Sequence, residues 1–204
     1  MCPVDKSTKK LIKTETKMKK ILKPLSILFA SISLLSSGIN AQEKTVMVGG
    51  AAMYPSKNIV ENAVNSKDHS TLVAAVKAAG LVETLQSAGP FTVFAPTNEA
   101  FAKLPAGTVE TLLKEENKPA LTAVLTYHVI SGKINSTTLM EMIKKNGGKY
   151  TAKTIQGGEL SFSMKGKNIV LQDEKGGMSM VTIKDVNQSN GIIHVIDTVV
   201  LPKS

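Results

Sequence analysis

Three histidines are the side chains of this 204-residue sequence with the most versatile chemistry: His69, His128 and His194. Imidazole changes charge near neutral pH and often ligates metals, so these residues could serve acid–base catalysis or metal binding. A metal site would have to combine His128 and His194 with a distant carboxylate such as Asp197, because no spacing in the sequence is that of a ligand motif. We therefore expect neither a metal nor a cofactor.

Catalytic motifs are missing from the sequence. It contains no Gly-x-Ser-x-Gly, His-Glu-x-x-His or Gly-x-Gly-x-x-Gly motif and no phosphate-binding loop. Adjacent carboxylates occur at Glu115-Glu116 and Asp173-Glu174, but sequence neighbours do not face one another as an acid–base pair, and we predict that both pairs are solvated. We therefore predict a protein that is not an enzyme. A hydrolase would need a site assembled from distant segments around an accessible histidine.

The net charge of +9 is distributed in a way that argues against a nucleic-acid partner. All 25 basic residues are lysines, and residues 1–41 hold eight of them against two acids. Arginine, which grips phosphates and guanine through a planar fork, is absent. Tryptophan is absent and aromatic residues make up 4% of the chain, so platforms for stacking bases are scarce. We expect no nucleic-acid binding.

The N-terminal residues have the three-part pattern of a secretory signal peptide. A lysine-rich stretch at 17–23 precedes an apolar run at 25–35, and small residues lead to Ala41. The apolar run is too short to span about 30 Å of hydrocarbon, so we expect residues 1–41 to be cleaved, leaving no integral membrane segment. The predicted location is secreted, that is periplasmic, cell-surface or extracellular. A leader of conventional length would start at Met18, which is a second possible translation start.

The region after the leader begins with helical patterning. Residues 42–56 contain two adjacent glycines, a proline and few large apolar groups, which predicts a flexible segment. Apolar residues recur at helical spacing from about 58 to 121, interrupted by a short strand at 91–94. A further helix is predicted to open at Ser136 and to end at a pair of glycines.

After Lys149 the apolar period changes to that of β-strands separated by glycine-containing turns. Helices followed by a strand meander predict an α+β fold rather than alternating βαβ units. One domain is expected at 57–202, without an internal repeat. It has no disulfide, because the single cysteine, Cys2, lies in the leader. The predicted strands of this part are 160–164, 169–171, 178–181, 192–196 and 199–201.

Three motifs, in matching order and spacing, resemble those of the fasciclin-like domain family. The first is FTVFAPTNEAF at 91–101, the last is NGIIHVIDTVVLP at 190–202, and Tyr127-His128 lies between them. The resemblance covers residues 57–202. It implies a wedge of about seven β-strands with helices packed around it, in a secreted or surface-held protein associated with adhesion. A single copy behind this style of leader is typical of bacterial members.

Most residues of the first and last motifs are predicted to stabilise the fold. Pro96 fixes the exit of a strand, and Thr97 can cap the next helix. Gly191 permits a turn conformation that is costly for other residues, while Ile193 and Val195 alternate into one face of a sheet. The motif residues expected to be mainly structural are Thr92, Phe94, Pro96, Thr97, Phe101, Gly191, His194 and Asp197.

Four residues are candidates for partner contact because of the family resemblance. Tyr127-His128 matches a pair that the resemblance links to adhesion in animal relatives, although a Tyr-His step between apolar residues is commonly a hydrogen-bonded core element. Asp185-Val186 resembles an Asp-Ile adhesion element with a shorter aliphatic partner. That departure and the bacterial style of the leader argue against integrin binding of the animal type.

The leading functional hypothesis is an exported, non-enzymatic domain that mediates cell adhesion or extracellular contact. Its expected partner is a cell-surface or matrix protein or an anionic polysaccharide. Lysines in the central region could attract such anionic material or could simply be a solvated face. An extracellular carrier with an apolar pocket for a small ligand between sheet and helices is the alternative. The central lysines are Lys144, Lys145, Lys149, Lys153, Lys165 and Lys167.

Overall fold

Residues 44–203 are the part of the chain that this computed structural model describes, and they hold seven α-helices and nine β-strands. The predicted signal peptide, Cys2 and the second possible start at Met18 lie outside the described residues. The helices are α1 (Ile59–Ala63), α2 (Ser70–Ala79), α3 (Val82–Gln86), α4 (Asn98–Ala102), α5 (Thr108–Leu112), α6 (Lys118–Tyr127) and α7 (Ser136–Lys145). The strands are β1 (Val46–Val48), β2 (Ala51–Met53), β3 (Phe91–Pro96), β4 (Val129–Ser131), β5 (Lys149–Lys153), β6 (Glu159–Lys165), β7 (Asn168–Gln172), β8 (Met178–Gln188) and β9 (Gly191–Ile196).

Strands β3 to β9 form one mixed sheet in the order β4-β3-β9-β8-β7-β6-β5. β3 and β9 run parallel, with Phe91 opposite Gly191, and the other neighbouring strands are antiparallel. The sheet nearly closes on itself, because the amide of Ile155, just after β5, donates to the Val129 carbonyl in β4 at 2.8 Å. The predicted α+β fold, with about seven strands in its sheet, is confirmed.

The strand predicted at 199–201 is not formed. The Val200 amide donates to Nε2 of His128 at 3.2 Å, and the Leu201 amide donates to Oδ2 of Asp173 at 2.9 Å. Side chains therefore take up the donors that a neighbouring strand would have accepted, so the segment adds no strand to the sheet.

The segment 42–56, predicted to be flexible, instead contains the antiparallel hairpin β1–β2. Each strand has one deeply buried side chain, Val48 in β1 and Met53 in β2. These two side chains anchor the hairpin to the core. Gly49 in their turn has a φ of +56°, and a Cβ there would collide with the Ser66 hydroxyl. The hairpin is thus a fitted part of the domain, and its three-residue strands were too short to show a period in sequence.

Local sequence signals set the ends of several helices. Gly80 lies inside the stretch with helical spacing, but it ends α2 in the left-handed conformation, with a φ of 72°. Thr97 caps α4 through its side chain, as predicted. The cap of α7 is Asn135 rather than Ser136, because the Asn135 side chain accepts the hydrogen bond from the third helical amide.

Strand β9, which lies between β3 and β8 inside the sheet, is buried along its whole length. Ile193 and Val195 pack in a cluster with β1, β2 and α1, while Ile196 packs in a second cluster with α7. Ile193 and Val195 thus share one face of the sheet, as predicted, and the opposite face is buried as well. Both faces are covered because the hairpin and α1 lie over one side and α7 lies over the other, which also encloses His194.

Candidate functional site

Tyr127, at the end of α6, is completely buried. Its hydroxyl donates to the Glu159 carbonyl at 2.6 Å and accepts from the Glu174 amide at 3.2 Å. Burial raises the pKa of Tyr127 to about 12; the Glu174 amide opposes the rise, and the carboxylates of Glu174, Asp173 and Glu159 add to it. The neutral phenol therefore links α6 to the start of β6 and to the turn after β7.

Both ring nitrogens of the neighbouring His128 are occupied. The Val200 amide can only donate, so Nε2 accepts from it, and Nδ1 must carry the proton donated to the Val124 carbonyl at 2.8 Å. Burial lowers the pKa of His128 to about 4, against the opposing effects of the Val124 carbonyl and the Asp173 carboxylate. His128 is thus a neutral structural residue, with no nitrogen available to a substrate or a metal.

His194 in β9 shows the same arrangement on different partners. The Asp185 amide donates to its Nδ1 at 3.3 Å, and its Nε2 donates to the Ile134 carbonyl at 2.9 Å. The ring stacks on Phe94 with centroids 5.5 Å apart. Burial lowers the pKa of His194, although the Ile134 carbonyl and the Asp185 carboxylate favour the charged ring. Its imidazole joins β9 to β8 and to the segment before α7.

Asp185 and Val186 face into the molecule. Asp185 lies where β8 is irregular and has a φ of 61°, which is unusual for a residue other than glycine. Its carboxylate accepts from the Ser136 amide at 2.7 Å and from the Ser136 hydroxyl, at the start of α7. Val186 is buried against the hairpin cluster. A partner would therefore meet the surface around these residues rather than their own side-chain atoms.

Asp197 closes the last motif through its carboxylate. Its Oδ1 accepts from the Met180 amide at 2.8 Å, and its Oδ2 lies 3.8 Å from Nζ of Lys103. Burial alone would raise the pKa of Asp197, but the hydrogen bonds from Met180, Thr198 and Ser179 and the charge of Lys103 lower it overall. The residue ties the end of β9 to β8 and α4.

The structural residues of the first motif are also directed inward. The Thr92 hydroxyl donates to the Gly132 carbonyl at 2.6 Å and accepts from the Ile134 amide at 2.9 Å, which fixes the loop after β4. The remaining residues predicted for the core from this motif are all buried, namely Phe94, Pro96 and Phe101.

Gly191 is constrained by space rather than by a turn conformation, so the reason predicted for it is wrong. Its φ is not in the left-handed region. A Cβ at this position would lie well under 3.0 Å from the carbonyl of Phe91, which is its partner in the parallel pair. The glycine lets β3 and β9 approach, a requirement that only the tertiary structure reveals.

The family model of the fasciclin domain matches residues 67–202. This chain belongs to the fasciclin domain family. The match includes all three motifs and the strands from β3 to β9, so the family resemblance seen in the sequence is confirmed.

Relatives of this fasciclin domain occur in bacteria and animals. Protein sll1483 of Synechocystis sp. is 48% identical over 164 residues, 78% of this chain and 82% of that protein. Human periostin is 35% identical over 137 residues, 67% of this chain and 15% of periostin. Among solved structures, a FAS1 domain pair from the insect cell adhesion molecule Fasciclin I matches with a TM-score of 0.65 at 18% identity, over 78% of this chain and 58% of that one.

The described part of the fasciclin domain offers no assembled metal site. Between residues 44 and 203, no three His, Cys, Asp or Glu side chains are placed to hold an ion. His128, His194 and Asp197, the trio considered from sequence, instead make separate sets of hydrogen bonds. Over the same residues, no helix has the length and apolar character needed to cross a membrane.

Two polar residues important to the fasciclin fold were not recognised from sequence. Asp173, predicted to be solvated, is buried and accepts from the amides of Gly177 at 2.7 Å and Leu201 at 2.9 Å. Asn190 is also buried and donates to the carbonyls of Leu85 and Ser87 at 2.7 and 2.9 Å. Asn190 precedes Gly191 within the last motif, and that position was the only signal of its importance.

His69 is the third histidine, and its surroundings differ from those of the other two. It lies in a 3₁₀ turn at Lys67–His69 before α2 and is buried, with Nδ1 2.9 Å from the Ser66 hydroxyl. Its Nε2 has no hydrogen-bond partner among the described residues. The ring lines a cavity of about 70 Å³ between the helices α1 to α3 and the sheet. The cavity walls are almost entirely apolar.

Proposed function

We propose that this fasciclin domain is exported and acts without catalysis, as a binding domain for an extracellular partner. The partner class is a cell-surface or matrix protein or an anionic polysaccharide. Two observations support binding rather than catalysis: both motif histidines have their ring nitrogens fully engaged, and the matched insect structure comes from a molecule named for cell adhesion. Because these motif side chains are engaged inside the domain, we assign the proposed contact surface to other residues.

A lysine-lined groove is the observation that carries the proposal. It is an open concavity of about 620 Å³ between α7 and the meander. Three exposed lysines on its rim, Lys144, Lys167 and Lys184, form no ion pair within the described residues. The groove is lined by Met140, Ile143, Lys144, Gly148, Met164, Gly166, Lys167 and Lys184.

An anionic polymer suits this groove better than a neutral one. Lysines act as strongly hydrated point charges and need no fixed geometry, so three of them can attract carboxylate or sulfate groups along a flexible chain. Met140 and Met164 supply adaptable apolar contact beside the charges. Of the lysines predicted from sequence to attract anionic material, Lys144 and Lys167 border the groove, while Lys184 was not recognised.

The test is binding of the purified protein to alginate, an acidic polysaccharide. The triple variant Lys144→Glu, Lys167→Glu and Lys184→Glu is expected to bind at least tenfold more weakly, and binding of the unmodified protein should weaken as salt is added. The control variant changes Lys57, Lys118 and Lys175 to glutamate, which alters net charge equally at exposed sites outside the groove. Equal losses in both variants, or no loss in either, would contradict the groove proposal.

Export is proposed from the leader and needs its own measurement. Cell fractionation of the source organism is expected to find the protein outside the cytoplasm, beginning near Gln42 when its N-terminus is sequenced. Mass spectrometry of the uncleaved precursor should show a start at Met18. A precursor that starts at residue 1 would exclude that start, and a cytoplasmic, uncleaved protein would exclude export.

A small-ligand carrier is the second candidate function, favoured by the apolar cavity beside His69. Native mass spectrometry of protein purified from its source should then show a retained small molecule. Protein that carries no bound mass would count against this candidate.

A further inference from the structure

The unpaired Nε2 of His69 is the starting observation. The side chain is 3% exposed, yet this nitrogen has no hydrogen-bond partner in the described part of the chain. Buried polar atoms in folded proteins are nearly always paired, because an unpaired one loses its hydration without compensation. A partner supplied from outside the chain would remove that deficit.

The position of the His69 ring is well fixed. Its Nδ1 is 2.9 Å from the hydroxyl of Ser66, itself buried, and Ser66 packs against the turn at Gly49 in the β1–β2 hairpin. The ring is therefore held in one orientation, and Nε2 makes no hydrogen bond of good geometry although the Ala95 carbonyl lies near enough to favour the charged ring. A fixed orientation is expected of a binding group. Without the hairpin, Ser66 would lose one of its packing neighbours.

The walls around the ring are apolar. They come from α1, α2 and α3 on one side and from β3, β4 and β9 on the other, including Ile59, Val76, Leu85, Val93 and Ile193. His128 also lines the cavity, but both of its ring nitrogens are already paired. Thr126 lines it as well, and its hydroxyl donates to the Thr122 carbonyl at 2.7 Å.

We propose that this cavity binds a small, uncharged, apolar molecule carrying one hydroxyl group, and that Nε2 of His69 makes the hydrogen bond to that group. The inference rests on the carrier candidate above and is independent of the lysine groove. A hydroxyl both donates and accepts, so it can pair with Nε2 whichever ring nitrogen holds the proton. Hydrocarbon walls exclude a charged head group.

The charge state of His69 and the volume of the cavity limit the class of ligand further. Burial lowers the pKa of His69, although the Ala95 carbonyl and the Asp68 carboxylate oppose this, so the ring offers no positive charge to a carboxylate near neutral pH. At about 70 Å³ the cavity encloses only a few heavy atoms. A longer molecule would leave the cavity where the exposed residues Lys77, Thr84 and Ile155 line it.

Phenol and toluene are matched probes for the hydrogen bond, because they differ only in a hydroxyl replacing a methyl group. In a wholly apolar cavity toluene binds better, since phenol must shed water without a new partner. With Nε2 as the partner, the unmodified protein should bind phenol at least as tightly as toluene. The measurement is a titration followed by ¹H–¹⁵N correlation spectra, with shifts expected at cavity residues such as Val73.

Two variants assign the effect to His69. His69→Phe should weaken phenol binding about fivefold relative to toluene binding, the size expected for one neutral hydrogen bond. His69→Gln keeps a polar group and should retain more of the phenol preference. Well-dispersed spectra will show that each variant is folded, and if His69→Phe is not, the unmodified protein and His69→Gln still give the comparison.

The possible results separate this inference from the carrier candidate. Toluene binding without phenol binding would overturn the role of His69 and leave an apolar carrier. An unchanged phenol preference in His69→Phe would also overturn it. Failure of both probes to bind would overturn the inference and the small-ligand carrier together, while the alginate result for the lysine groove would stand on its own.

Discussion

The motif histidines and His69 are buried to a similar degree but differ in their hydrogen bonds. His128 and His194 each use both ring nitrogens on main-chain groups of this chain, whereas His69 leaves Nε2 unpaired beside an apolar cavity. The first two therefore maintain the sheet and its flanking segments, and the third has a nitrogen left for the ligand that we propose. Burial alone does not distinguish a structural histidine from a binding one; the pairing of its nitrogens does.

The packing around the motif histidines also differs from the packing around His69. At the motif region, β3 and β9 approach so closely that position 191 has no room for a side chain. At the helical side, α1 to α3 leave an unfilled volume against the same sheet. We therefore expect the motif region to tolerate little change and the cavity region to tolerate more.

The largest expected effect is at Gly191. Gly191→Ala places a Cβ against the Phe91 carbonyl and should destabilise the protein by about 4 kcal/mol or more, since neither backbone can move without breaking the parallel pair. Urea unfolding followed by circular dichroism measures this. Gly147→Ala is the control: its left-handed φ of 71° lies in open space, so it should cost only about 1–2 kcal/mol. Similar losses at both positions would contradict the close-approach argument.

The next prediction compares the two kinds of histidine directly. His194→Phe leaves the Ile134 carbonyl and the Asp185 amide without partners and should cost about 3 kcal/mol of unfolding free energy. His69→Phe removes the unpaired Nε2 but also the Nδ1 that pairs with the buried Ser66 hydroxyl, so it should cost about 1 kcal/mol, less than His194→Phe. Chemical denaturation of the two variants measures both values. If His69→Phe proved the more damaging, the contrast between the two sites would be lost.

Acid should destabilise the motif region through His128. Its pKa is about 4 in the folded protein against an ordinary 6.5, so the unfolded chain binds a proton first as the pH falls. The stability contributed by neutral His128 is complete above pH 6.5 and declines towards pH 4, by about 3 kcal/mol in all. His194 and His69 shift in the same direction. Unfolding free energies at pH 7, 5.5 and 4.5 test this, and an unchanged value would contradict it.

The smallest loss of stability is expected for Tyr127→Phe, which tests whether the Tyr127-His128 pair is structural. Tyr127→Phe keeps the buried ring but removes the hydroxyl that pairs with the Glu159 carbonyl and the Glu174 amide. The expected cost is about 1–2 kcal/mol in unfolding free energy, with alginate binding unchanged. A variant of normal stability that had lost partner binding would instead assign the tyrosine to the contact surface.

Sequence alone predicted the parts of the fold that depend on local chemistry. The cap of α4 at Thr97 and the glycine turns of the meander were predicted from neighbouring residues. The end of α2 at Gly80 was not, because the apolar helical pattern continues past it to Leu85. The hairpin β1–β2 and strand β4 were missed because three residues are too few to show a period. These strands are set by tertiary contacts, such as Val48 with the core and Val129 with Ile155.

The candidate site was harder to predict, because the decisive relations join distant positions. Asp173 is buried since it accepts from Leu201, and Gly191 is constrained by Phe91, a hundred residues earlier. His69 differs from the other histidines only in what surrounds Nε2, which no spacing in the sequence encodes. The motifs identified the family, while the available binding groups lie outside them.

The parallel pairing of β3 with β9 also determines when the domain can fold. The two strands are neighbours inside the sheet, although the chain from α4 to β8 lies between them in sequence. A chain emerging from a ribosome or a translocation channel cannot form this pair until Gly191–Ile196 has emerged. Pairing of strands that are so far apart in sequence slows folding. That delay would suit the proposed export, because a chain that has not yet folded can still be threaded across a membrane.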